Sequence, residues 1–109
     1  MSQRTEKVES LVKQTVALKL IEELGQAAAR VTVTGVDVSP DLKNAIVWLG
    51  VAENEAKRVA TMATVQEVRP KLQAAVAKIM TTKYIPRIEL KLDAGIDYAA
   101  HISDIIREL

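Results

Sequence analysis

The chain has no cysteine and no phenylalanine, and its 109 residues include only 1 Trp, 2 Tyr, 4 Gly and 3 Pro. Without a thiol there is no disulfide framework, zinc ribbon, iron–sulfur cluster or cysteine nucleophile, and a reducing cytosol is the expected surrounding. So little Gly and Pro excludes collagen-like and low-complexity chains. No uncharged apolar run reaches the roughly 18 residues of a membrane span. The start, MSQRTEKVES, mixes both signs of charge and leads into no apolar stretch, so a cytoplasmic protein, neither exported nor membrane-spanning, is expected. Charge of one sign is lacking too: 15 Lys and Arg face 14 Asp and Glu, a net +1 that at face value argues against a nucleic-acid partner.

What is present is aliphatic: 49% of the residues are hydrophobic, almost all of them Ala, Val, Leu and Ile. A chain this long forms one domain, residues 1–109, burying roughly 60 to 70% of its unfolded surface around one finely packed core. From Thr5 to Leu24 the residues Val8, Leu11, Val12, Val16, Ala17, Leu20, Ile21 and Leu24 recur at three- and four-residue steps, predicting an amphipathic helix that ends at Gly25. Arg30 to Val38, rich in β-branched residues, reads as a strand with Gly35 at a bulge. The turn residues of Ser39 to Asn44 then join it to a second strand, Ala45 to Val51, in an antiparallel hairpin.

Asn54 is an N-cap for a helix over Glu55 to Val68, with Val59, Met62, Ala63 and Val65 as its inward residues. Pro70 lacks an amide proton and disfavours a helical residue before it, so a second helix restarts there and runs to about Thr82. Arg87 to Asp93 alternates Ile88, Leu90 and Leu92 with Arg87, Glu89 and Lys91, a half-buried strand, and Ile96 to Leu109 returns to helical spacing. The fold class is α+β, in the order α-β-β-α-(kink)-α-β-α: a small mixed sheet with helices on one face. The third strand lies parallel to the second or is separated from it by another strand.

Counted by segment, the charge looks different. Lys57, Arg58, Arg69, Lys71, Lys78, Lys83, Arg87 and Lys91 oppose only Glu67 and Glu89, a balance of +6 across residues 57–91, while residues 31–56 and 92–109 each carry −3. Six such groups meeting phosphates would give a log–log salt slope of roughly −4 on single strands and −5 on duplex. The alternative is that these side chains only solvate helix faces.

Helix, hairpin, two helices meeting at a break and a strand resemble a type II KH-like domain. VTVTGVDVSPDLKNAIVWL, with Ser39, Pro40, Asp41, Leu42, Ala45, Val47 and Trp48, is similar to the signature of the ribosome-binding factor A family. RTEKVESLV resembles that family's first helix, and IPRIELKLDAGIDYAAHISDII its third strand and last helix. The family's interhelical Ala-x-Gly falls here on Val68, Arg69 and Pro70, so the kink is kept through proline, and no GxxG loop exists. The resemblance implies a non-enzymatic factor, without cofactor or metal, that binds the immature small ribosomal subunit (16S ribosomal RNA and ribosomal proteins). It further implies a part in late 30S maturation and 16S 5′-end processing, growth in the cold, and a ribosome-assembly GTPase as a further partner. A monomer is expected.

The candidate RNA-contacting residues are Lys57, Arg58, Arg69, Lys71, Lys78, Lys83 and Arg87, with Arg69 either at an exposed junction whose amides and cations are available to an anion or merely snorkelling beside the helix break. Ser39 to Asp41 is read chiefly as a turn setting the hairpin register. Trp48 is read as a partly buried sheet residue in preference to a base-stacking platform. His101 with Asp97 and Asp104 lacks the further ligand or nucleophile that would complete a site, and a solvated helix face is the better reading. A protein–protein adapter using an exposed sheet edge or helix face, with no RNA binding, is the alternative; no constellation supports an enzyme.

Overall fold

In the computed structural model, which describes residues 3–81 and 84–93, a three-stranded sheet is covered on one face by helices. The expected last helix, Lys83 and the His101 group lie outside the described residues. Helix α1 (Gln3–Leu24) buries Val8, Val12, Val16 and Leu20, a single row of four-residue steps. The apolar face is narrower than its periodicity suggests: Leu11 is 39% exposed and Ile21 60%, because α1 meets the sheet and the later helix along that one row. Gly25 ends the helix with a positive φ of 58°, open to glycine without strain, and a 3-10 helix over Gly25–Arg30 that the periodicity did not foretell leads into the sheet.

Strands β1 (Val31–Val38) and β2 (Asn44–Val51) pair antiparallel, with the register shifting between Val33 and Gly35 as expected of a bulge. Strand β3 (Arg87–Leu92) pairs parallel to β2, which settles the open alternative and makes β2 central. Val33, Val36, Val38, Ala45, Val47, Leu49, Ile88 and Leu90 form the covered face. Each such Val, Leu or Ile stabilises the fold by roughly 1.5–3 kcal/mol through loss of water-exposed surface. Alternation puts Asp37, Asn44, Ile46, Trp48, Arg87, Glu89 and Lys91 on the other face.

Helix α2 (Glu55–Glu67) starts at Asn54, whose side chain accepts from the Lys57 amide at 2.9 Å. It reaches the core only through Val65 and, in part, Met62. Two expected inward residues are therefore outside: Val59 is 68% exposed and Ala63 is exposed too. Helix α3 (Arg69–Ile79) begins one residue before Pro70 and buries Leu72 and Val76 against α1 and the sheet.

Candidate nucleic-acid interface

The break between α2 and α3 is one residue wide. Val68, at φ −93° and ψ 3°, gives its amide to Val65 O (3.1 Å), and its carbonyl accepts from the amides of Lys71 (3.0 Å) and Leu72 (3.1 Å). Pro70 stands in the first turn, where a missing amide proton leaves no helical bond unmade. The junction is thus not the expected row of amides turned toward an anion, since the Lys71 and Leu72 donors are already taken.

Nor is Arg69 exposed there. It is half-buried, and one of its terminal nitrogens donates to Ile88 O at 3.0 Å. Gln66 and Gln73, a turn away on either side, do the same work along the outer edge of β3. Gln66 Nε2 donates to Leu90 O (3.0 Å), Gln73 Nε2 donates to Pro86 O (2.9 Å), and Gln73 Oε1 accepts from the Ile88 amide (2.7 Å). The strand edge that would otherwise pair with another chain is filled by side chains from its own crossover. At the opposite edge, the Val38 amide is taken by Glu9 Oε2 at 3.0 Å. Of these edge-binding side chains only Arg69 stood out in the sequence; the signal for the others is that Gln66, Arg69 and Gln73 are polar yet spaced like a core stripe.

The basic stretch does not form a single face. Lys71 and Lys78 are seven residues apart, hence on one side of α3, and line a groove against α1 with Leu18, Lys19, Glu22 and Ile79. In that groove Lys71 pairs with Glu23 at 3.0 Å and Lys19 with Glu22 at 3.4 Å. Arg69, two residues from Lys71, points the other way, toward β3. Arg58 is tied into the fold, donating to Val51 O (3.3 Å) and Glu53 O (2.7 Å) at the end of β2, which is a structural use where a solvent-facing cation was expected. Lys57 and Arg87 are exposed, as is Lys43, which stands 4.9 Å from the centre of the Tyr84 ring.

Arg69 and Arg87 nevertheless line one cavity of about 510 Å³, together with Asn44, Gln66, Ile88, Glu89 and Leu90. It follows the β3 edge, with Gln66 and Arg69 entering from the helix junction and Asn44, Arg87 and Glu89 from the strands. Among the described residues the Arg87 guanidinium has no hydrogen-bond or ion-pair partner, and Arg69 has only Ile88 O.

The signature Ser39, Pro40, Asp41, Leu42 builds the hairpin. Ser39 Oγ lies 2.6 Å from Asp41 Oδ1 and accepts from the Asn44 amide at 3.1 Å, while Asp41 Oδ1 also accepts from the Lys43 amide at 3.0 Å. The Ser39 hydroxyl, then the Lys43 amide, hold the Asp41 carboxyl below its ordinary pKa. Leu42 takes a positive φ of 62°, rare without glycine, and its side chain is buried. Trp48 is half-buried, its Nε1 donating to Asp37 Oδ2 at 2.8 Å. Asp93 bridges to β1, accepting from Thr34 Oγ1 at 2.6 Å.

Residues 4–106 match the family model described as ribosome-binding factor A. Ribosome-binding factor A of Rhodopirellula baltica is 30% identical over 109 residues, 99% of this chain and 80% of that protein. That of Chloroflexus aggregans is 39% identical over 79 residues, 72% of this chain and 62% of that protein. Among solved structures, Thermus thermophilus ribosome-binding factor A shares the fold with a TM-score of 0.68 at 19% identity, covering 81% of this chain and 94% of its own. A second structure of it, a homology model fitted into a cryo-EM map of a 30S complex, gives 0.61 at 23% identity, over 81% and 93%. By the extent of the match, this chain belongs to the ribosome-binding factor A family.

Proposed function

We propose that this protein is a non-enzymatic assembly factor that acts as one domain and binds the small (30S) ribosomal subunit through 16S ribosomal RNA. The observation that carries the reading is a family match running from residue 4 to residue 106, in a family with a member fitted into the map of a 30S complex. The function extends to late 30S maturation and processing of the 16S 5′ end in the cytoplasm, to growth in the cold, and to release assisted by an assembly GTPase. The protein works as a monomer.

The RNA contacts fall on two surfaces. Lys71 and Lys78 position phosphates at the groove between α1 and α3, Lys57 and Lys83 are further phosphate contacts, and Arg69 and Arg87 meet RNA at the β3 edge. Recruiting Lys71 means opening its pair with Glu23, in which the lysine side chain is exposed and that of Glu23 is only 14% exposed. The adapter alternative loses its simplest route at β3, whose outer edge already holds Gln66, Arg69 and Gln73. Binding to 16S fragments, titrated with salt, tests the reading. Three to six phosphate contacts to single-stranded regions give a log–log slope of about −2 to −4. A flat response would favour the adapter.

A further inference from the structure

The two edges of the sheet are not finished alike. Along β3 the side chains of Gln66, Arg69 and Gln73 occupy outward backbone groups, whereas along β1 only the Val38 amide is taken, by Glu9. Every second residue of an antiparallel edge strand turns its backbone outward, and on β1 these are Val31, Val33 and, past the bulge, Val36. The Val31 amide closes the preceding 3-10 helix on Ala28 O. The Val31 carbonyl and both backbone groups of Val33 and Val36 have no hydrogen-bond partner among the described residues.

Helix α1 overhangs this edge. Lys13, Ala17 and Ile21, four residues apart, form a row beside the buried one and, with Leu20, Val31 and Val33, line a cavity of about 230 Å³. Ile21 is 60% exposed there, and Lys13 is exposed with no acidic partner among the described residues. The volume lies below the roughly 300 Å³ at which small-ligand sites begin, and suits one aliphatic side chain. We propose that the β1 edge and this cavity bind an extended segment of another protein, which adds a fourth strand beside β1, sets an aliphatic side chain under Ile21 and places an acidic residue against Lys13. The inference goes beyond RNA binding and does not depend on it.

Each part of the surface selects the same ligand. Unpaired amides and carbonyls in alternation are matched by an extended backbone, which carries both groups at the same repeat. Side chains two apart on such a strand project to one face about 6.8 Å apart, close to the rise of about 6 Å between successive members of the α1 row. An aliphatic residue against Ala17 and Ile21 thus brings its neighbour on that face to Lys13, where a carboxylate completes an ion pair. Two other occupants fit less well. A second copy of this chain offers its own β1, whose helix-side residues Val31, Val33, Val36 and Val38 leave Lys13 without an acid. RNA supplies acceptors for Lys13 and the amides but nothing aliphatic for the cavity.

The test is NMR of the full, nitrogen-15-labelled chain with a capped synthetic heptapeptide that has isoleucine at its centre, glutamate two places to either side and threonine elsewhere. Bound peptide should slow hydrogen exchange at the Val33 and Val36 amides by about fivefold or more. Ile21→Glu should weaken binding about tenfold. Lys13→Glu should turn the preference toward a peptide with lysine in place of glutamate. Val59→Ser, at an exposed residue of α2, should bind within about twofold of the parent. The same peptide N-methylated at every residue keeps its side chains, loses its donors and should not bind. Absence of protection at Val33 and Val36 with millimolar peptide, or equal binding of the N-methylated peptide, would overturn the proposal. So would the same protection produced by a single-stranded oligoribonucleotide, or by raising the protein concentration alone, which would assign the edge to RNA or to a second copy.

Discussion

Gln73 grips Ile88 at the edge of the sheet: its Oε1 accepts the Ile88 amide at 2.7 Å while its Nε2 donates to the carbonyl of Pro86 at 2.9 Å. One side-chain amide thereby does for β3 what a neighbouring strand would do. Replacing Gln73 with Ala leaves a donor and an acceptor unpaired in a part-buried place, so Gln73→Ala is expected to lose about 1–3 kcal/mol in urea unfolding. It should also raise self-association, because the edge is then open to a second chain. A variant as stable and as monomeric as the parent would show that the edge is satisfied by water.

Arg58 and Lys78 lie in the same basic stretch and should behave differently. Arg58→Ala removes two bonds to the carbonyls of Val51 and Glu53 and should destabilise the fold by roughly 1–3 kcal/mol. Lys78→Ala, at an exposed groove residue, should stay within about 0.5 kcal/mol and instead weaken binding to folded 16S fragments. Thermal melts of both variants, read beside the binding curves, check the division.

At Leu42 burial and backbone strain oppose each other, since the side chain is 6% exposed on a left-handed residue. Leu42→Ala loses the packing and keeps the strain, and is expected to lose about 2–4 kcal/mol. Leu42→Gly loses slightly more packing but relieves roughly 1–2 kcal/mol of left-handed strain. The glycine variant should therefore be at least as stable as the alanine variant by denaturant midpoint, the reverse of the order inside helices or strands.

The hairpin turn carries a pH signature. Because the Ser39 hydroxyl and the Lys43 amide hold the Asp41 carboxylate below its ordinary value of 3.8, its folded form binds protons less readily than its unfolded form. The stabilisation is present above pH 3.8 and is lost as the pH falls through the lower folded-state value. Asp41→Asn should flatten that part of the stability profile while leaving the neutral-pH fold intact; an unchanged acid limb would assign the loss to another group.

Much of this architecture was written in local patterns. The alternation of Ile88, Leu90 and Leu92, the Asn54 cap, Gly25 and the Gly35 bulge each act through neighbouring backbone, and a sequence displays such chemistry directly. What it hid was direction. Val59 sits at helical spacing from Met62, yet α2 meets the core only near its end, so the valine is left in water. Arg69 and Lys71 look like one cluster, but two residues on a helix differ by about 200°, and the neighbours that claim them, Ile88 O and Glu23, lie on opposite sides of α3. Gln66 and Gln73 are polar residues in a helical stretch, and nothing in a linear chain says that a strand edge will arrive beside them. The fold class and family were therefore legible, and the division of the cations into two surfaces was not.

Co-sedimentation of the purified chain with isolated small subunits, set beside assembled ribosomes in the same gradient, bears most directly on the proposed function. The expected result is a salt-sensitive, saturable association with free 30S subunits that weakens in the double variant Lys71→Ala, Lys78→Ala and is far lower on assembled ribosomes. Equal recovery from both particles, or no association with free subunits at low salt, would contradict it.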